Sequence, residues 1–148
     1  MYERILVPTD GSQQARRAVE RAVDLAKTYD AELHVLFVVD TTRFGAEVDA
    51  TFVIGKLERA GEQIVEETVA QATEAGVSDA TGVVEFGPIH GVILDYADDH
   101  DVDLVVMGTH GRRGVDRYLF GSVTEKVVRR SDVPVLTVRG SSPEAESS

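Results

Sequence analysis

The sequence predicts an α/β domain built on one doubly wound, five-stranded parallel sheet, Rossmann-like, with strand order 3-2-1-4-5 and helices on both faces. Three observations carry that expectation. Short apolar runs rich in β-branched residues alternate along the chain with segments of helical period, the order that repeated strand and helix units produce. Three of these runs are apolar at nearly every position, as strands covered on both faces must be, and two are interrupted, as edge strands are. The chain has 148 residues, 43% hydrophobic and 28% charged, which suits a single domain able to remove roughly 70% of its unfolded surface from water.

The first strand is Ile5-Leu-Val7, stopped by Pro8-Thr-Asp-Gly-Ser12. From Ala15 the apolar positions fall at 15, 18, 19, 22, 23 and 26, one face of a helix that runs to about Tyr29. Leu33-His-Val-Leu-Phe-Val-Val39 is the second strand, and residues 40–54 form a long connection with no clear period, a length that points to function. A second helix spans about Phe52 to Ala75, with Leu57, Ala60, Ile64, Val65 and Ala72 inward and Gly76 ending it. Strand three, Thr81-Gly-Val-Val-Glu-Phe86, holds a glycine and a charge and reads as an edge. Gly87-Pro88 opens helix three, with Ile89, Ile93 and Ala97 four apart and an acidic end at Asp98-Asp-His-Asp101. Leu104-Val-Val-Met107 is strand four, and helix four spans about Ser122 to Arg130. The last strand, Val133-Pro-Val-Leu-Thr-Val138, carries a proline that restricts it to an edge. Residues 1–139 are expected to form the domain and 140–148 a disordered polar tail.

Composition excludes several functions. Zero cysteines rule out disulfides, thiolate zinc and thiol catalysis. The absence of a long apolar run or signal segment predicts a cytoplasmic chain without a membrane span. A net charge of −11 repels nucleic acid and anionic lipid at a distance but leaves a small anion in a local pocket open. Twelve arginines against three lysines under that acidic load fit either a salt-adapted protein or an ordinary acidic surface.

In the predicted sheet a ligand crevice opens beyond the C-terminal ends of strands one and four, where the crossover direction reverses. The loop leaving strand four there reads Gly108-Thr-His-Gly111-Arg-Arg-Gly114-Val-Asp-Arg-Tyr-Leu-Phe-Gly121-Ser122. Glycines let backbone approach a polyphosphate that a Cβ would block, and the free N–H groups at a helix start bind anions. The spacing matches neither of the two common nucleotide loops, G-x-x-x-x-G-K-[ST] and G-x-G-x-x-G.

The pattern G-x2-G-x9-G-[ST], filled by Gly108, Gly111, Gly121 and Ser122, resembles the ATP-binding signature of the universal stress protein family. Ile5-Leu-Val-Pro-Thr-Asp-Gly-Ser12, Val35-Leu-Phe-Val-Val-Asp40, Gly87-Pro88, Gly121-Ser-Val-Thr-Glu125 and Pro134-Val-Leu follow in that family's order, so the likeness covers about residues 2–139. It implies an ATP-binding factor in stress survival, usually a homodimer, without strong enzymatic activity. Carried onto this chain, it implies that Asp10 holds the ribose side or, through Mg2+ or Mn2+ brought by the nucleotide, the phosphates. Val38 meets the adenine edge between walls made by Pro8, Thr9 and Met107. Gly108 and Gly111 line the ribose and phosphate path, and Gly121, Ser122, Val123 and Thr124 cradle the phosphates. Gly11 stands where many relatives carry a bulkier residue, which bears only on the local turn.

Each residue also has a structural reading. Ser122-Val-Thr-Glu125 is a capping box, Asp10 a turn or N-cap residue, and Arg129-Arg130 a complement to the helix dipole. Arg112 and Arg113 fit either phosphate contact or solvated surface, and His110 fits phosphate contact better than catalysis because no base and nucleophile pair accompanies it. His34, His90 and His100 read as strand, helix-start and helix-end residues, and no histidine spacing supports a metal site. The leading function is a nucleotide-dependent regulator whose loops 40–54 and 109–120 order around ATP. A slow ATP hydrolase or phosphotransferase using Asp10, His110 and Arg112 is the second reading. The third is a nucleotide-independent scaffold dimerised through edge strand 133–138.

Overall fold

The computed structural model describes residues 2–43, 50–110 and 120–139. Strands β1 (Arg4–Pro8), β2 (Glu32–Val39), β3 (Ala80–Phe86), β4 (Leu104–Gly108) and β5 (Val135–Val138) form one parallel sheet in the order β3-β2-β1-β4-β5. The helices are α1 (Gln13–Tyr29), α2 (Ala50–Ala75), α3 (Ile89–Asp99) and α4 (Ser122–Arg130), with a 3-10 turn at Thr41–Arg43. The strand order is the expected one, and with four helices on a five-stranded parallel sheet the fold is α/β and Rossmann-like. Among the described residues no helix is long and apolar enough to cross a membrane.

Alternation along each strand divides the core in two. Ile5, Val7, Leu33, Val35 and Val106 pack under α1 and α2. Leu6, Leu36, Val105 and Met107 pack under α3 and α4 with Ile93 and Val127. Helix α1 buries Ala15, Ala18, Val19, Ala22, Val23 and Ala26, the face its spacing predicts. The Ser12 hydroxyl caps it, accepting from the Ala15 N–H at 3.2 Å. The capping residue is therefore Ser12, and Asp10 takes the turn role, with Oδ1 accepting from the Ser12 N–H at 2.9 Å.

Three local expectations are corrected. Ala60 faces solvent and its neighbour Gly61 is buried, because the Phe37 ring fills the space a side chain there would need: a Cβ on Gly61 would lie 2.4 Å from the ring. β5 starts at Val135 rather than residue 133, since Pro134 has no N–H to offer, although its carbonyl still accepts from the Val105 N–H at 3.0 Å. Ser122 is the first residue of α4 instead of its cap; the cap is Gly121, which has no side chain to bond with, so the capping box does not form. The loop residues 44–49, the glycine-loop residues 111–119 and the tail 140–148 lie outside the described residues.

Candidate functional site

The C-terminal ends of β1, β2 and β4 open into a cavity of about 430 Å3. Pro8, Thr9 and Asp10 enter it from β1, and Val38 enters from β2. Met107, Gly108 and His110 enter from β4 and the residues just after it, and Gly121, Ser122, Val123 and Thr124 come from the start of α4. The fold thus brings eleven of the sequence-derived site residues around one space; the remaining two, Gly111 and Arg112, lie with Arg113 outside the described residues. The Thr9 N–H donates to the Leu36 carbonyl at 2.8 Å, and its hydroxyl accepts from the Gly11 N–H at 3.2 Å. Gly11 sits at φ 79°, the left-handed region, so this turn requires the residue present and disfavours a bulkier one.

Helix α4 presents its N-terminus to the cavity. Its first turn has N–H groups at Ser122, Val123 and Thr124 with no preceding helical carbonyl to bond, and Gly121 supplies no side-chain cap. Two hydrogen bonds fix where that turn lies. The buried Thr124 hydroxyl donates to the Gly108 carbonyl at 2.8 Å, and the Gly121 N–H donates to the Thr109 carbonyl at 2.7 Å. Thr124 therefore clamps α4 to the end of β4 with its side chain.

Gly108 and Gly121 differ in their reasons. A Cβ on Gly108 would lie 3.1 Å from the His110 carbonyl oxygen and 3.3 Å from that of Gln14, so neighbouring backbone already disfavours a side chain there. At Gly121 the backbone is ordinary (φ −64°, ψ 162°) and a Cβ would meet nothing closer than 3.4 Å. Packing accepts a side chain at Gly121, so the fold itself does not require glycine there.

His110 is 8% exposed and its Nε2 is buried with no hydrogen-bond partner among the described residues. A buried polar atom left unpaired costs about 1–3 kcal/mol. Its Nδ1 lies 3.2 Å from the Thr109 hydroxyl, and its backbone N–H donates to Gln14 Oε1 at 3.0 Å. When the hydroxyl donates to Nδ1, Nε2 carries the proton and becomes a donor. Gln14 was not legible as a site residue, because its bond to His110 joins positions 96 apart. Leu57, Ile89 and Ile93 also line the cavity; their helical spacing marked Leu57 and the two isoleucines only as core.

The cavity's described lining has two carboxylates, Asp10 and Asp40, and neither lysine nor arginine. Positive potential there comes from the α4 terminus and the N–H groups. Among the described residues no three His, Asp or Glu side chains gather as a metal site. The other histidines sit elsewhere. His34, on β2, places Nδ1 2.7 Å from the Tyr96 hydroxyl at the far end of the sheet, and Tyr96 stacks on His100 with ring centres 3.8 Å apart. Burial, followed by the charges of Glu85 and Glu32, holds the Tyr96 hydroxyl above its ordinary value. His90 lies in the first turn of α3, and His100 is that helix's C-terminal cap residue.

A doubly wound parallel sheet with a glycine-lined crevice at its switch point belongs to the broad class of open α/β domains whose ligands sit at the strand ends. Within that class the universal stress protein family model matches residues 1–139, and the chain belongs to that family. The universal stress protein MJ0531 of Methanocaldococcus jannaschii is 34% identical over 142 residues, covering 94% of this chain and 83% of that one. The universal stress protein UspA from Lactobacillus plantarum superposes with a TM-score of 0.87 at 27% identity, covering 93% of this chain and 98% of that one. A universal stress protein crystallised in complex with cAMP gives a TM-score of 0.70 at 28% identity over 95% of this chain and 98% of that one.

Proposed function

We propose that this chain binds an adenine nucleotide, ATP, in the crevice between β1 and α4, and that occupancy regulates a surface read by a partner during stress. The observation that carries the reading is the uncapped first turn of α4, which opens on the cavity beyond the ends of β1 and β4 with His110 beside Gly121 on its wall. The 28%-identical relative in complex with cAMP supports an adenine nucleotide as the ligand class. In this reading Val38 offers backbone groups to the base, Thr9 and Met107 form walls, and the N–H groups of Ser122, Val123 and Thr124 receive the phosphates. Two carboxylates, with no metal cluster among the described residues, fit a cation that arrives on the nucleotide and keeps most of its own phosphate and water ligands, with Asp10 or Asp40 nearby. Mg2+ or Mn2+ there would offset phosphate charge.

The test is direct. Protein purified without added nucleotide is denatured and its supernatant analysed by mass spectrometry, and the emptied protein is titrated with ATP by calorimetry. Adenine nucleotide in the supernatant, or saturable binding that His110→Ala weakens by about tenfold, is the expected result. An empty supernatant with no heat at millimolar ATP overturns the proposal.

A further inference from the structure

We propose a second, phosphate-binding subsite on the exposed side of the α3 and α4 pair, outside the cavity, formed by His90, Lys126 and Arg130. Arg130 Nη1 lies 3.5 Å from His90 Nε2. Burial first, and then the fields of Lys126 and Arg130, hold the His90 imidazole below its ordinary value, so the three groups share one local potential. Beside them on α4, Arg129 is neutralised by Glu125 at 2.7 Å. Lys126 and Arg130 form no ion pair with any described residue.

The helix dipole accounts for only one of the three. Arg130 closes α4, where a cation is favoured, but Lys126 stands at the midpoint of that helix and His90 in the first turn of α3, where positive charge gains nothing or is opposed. Such a convergence is stabilised by an anion. Phosphate fits it best, because a dianion can take donors from an ammonium, a guanidinium and an imidazole at once. The patch also adjoins the cavity. Lys126 stands one turn, about 6 Å along the axis, from Ser122 on α4. Ser122 and Ile89, the residue before His90, both line the cavity. The bound phosphate is therefore either the outer end of the nucleotide or a separate phosphate group.

The whole chain is titrated with inorganic phosphate against sodium chloride of equal ionic strength while the His90 ring resonances are followed by NMR, with and without saturating ATP. A saturable phosphate-specific shift, at least about tenfold weaker in K126Q/R130Q, is expected. If that variant fails to fold, K126Q alone is read the same way. Loss of the shift when ATP is bound, with K126Q/R130Q weakening ATP more than AMP, assigns the site to the nucleotide's outer phosphate. Persistence under ATP assigns it to a separate group. A His90 response no larger than that to chloride, or one unchanged in the variants, overturns the subsite. Because the phosphate arm runs without nucleotide, failure of ATP binding leaves this result readable on its own.

Discussion

A methyl group on Gly108 would press on two backbone carbonyl oxygens, whereas one on Gly121 would meet only ordinary contacts, so the two positions answer differently to mutation. Gly108→Ala should destabilise the fold by about 1–3 kcal/mol, because backbone oxygens have little room to yield. Gly121→Ser should do the opposite: serine is a better cap than glycine and adds a few tenths of a kcal/mol to α4. Its hydroxyl then occupies the N–H groups a phosphate would use, so ATP binding falls at least about tenfold while the melting temperature holds or rises. Calorimetry and thermal melts on the one variant check both halves, and unchanged affinity would remove Gly121 from the site. At the far end of the sheet, Tyr96 supports the fold through its proton. Its raised value means the folded state holds the proton more tightly, so this contribution is complete below about pH 10 and is lost as pH rises through the folded-state value. Tyr96→Phe loses the bond to His34 and should cost about 1 kcal/mol at pH 8. Above pH 10 its stability should fall less steeply than that of the parent; urea melts across pH 8–11 decide it.

At the scale of elements, the bond from Thr124 to Gly108 joins a helix to a strand and sets the height of the α4 terminus in the cavity. Thr124→Val keeps the shape and removes the donor, leaving a buried carbonyl short of a partner, and should cost about 1–3 kcal/mol in urea unfolding. That bond spans 16 residues and could not be read from spacing, whereas the face of α1 could, because six buried positions repeat at 3.6 residues within one element. The same contrast explains the rest. Strand order and the crevice were legible since near-continuous apolar strands must be central, while Gly61 was hidden because its burial depends on the Phe37 ring of another strand. The two cavity-lining glycines, Gly108 and Gly121, were legible as a spacing; Gln14 and the committed hydroxyl of Thr124 were not, being set by which helix meets which strand end. Strand β5 yields a further prediction. The carbonyls of Pro134 and Val138 accept from β4, so the alternate residues Val135 and Thr137 turn their N–H and carbonyl groups to the open edge. If that edge pairs two copies of the chain, Thr137→Pro removes an outward donor without touching the β4 ladder, and sedimentation should show dimer converted to monomer. A dimer that persists in the variant places the interface elsewhere.

For the whole molecule, the sheet sets a geometry that charge then modulates. The crevice follows from strand order, yet its described walls carry carboxylates and no lysine or arginine, inside a chain with 26 acidic and 15 basic residues. Any attraction for an anion there must therefore be local, from N–H groups and helix ends that act within a turn, against a surrounding field of the opposite sense. The same excess charge repels itself in the compact state. Screening shortens from about 10 Å in 0.1 M salt to about 3 Å in 1 M, so added NaCl should relieve that repulsion and raise the melting temperature by about 2–4 °C for each kcal/mol recovered. Salt has two further effects that must be separated from this one. It strengthens apolar burial, more so for sulfate than for chloride, and it weakens surface pairs such as Arg129 with Glu125. A charge-neutralising variant isolates the repulsive part: replacing Glu58, Glu62 and Glu66, which stand four apart along α2, with glutamine lowers the excess without entering the cavity. That variant should melt higher than the parent in dilute buffer and gain less from salt, and the two curves should converge near 1 M NaCl. Parallel curves would mean that apolar burial, and not charge repulsion, governs how this fold responds to salt.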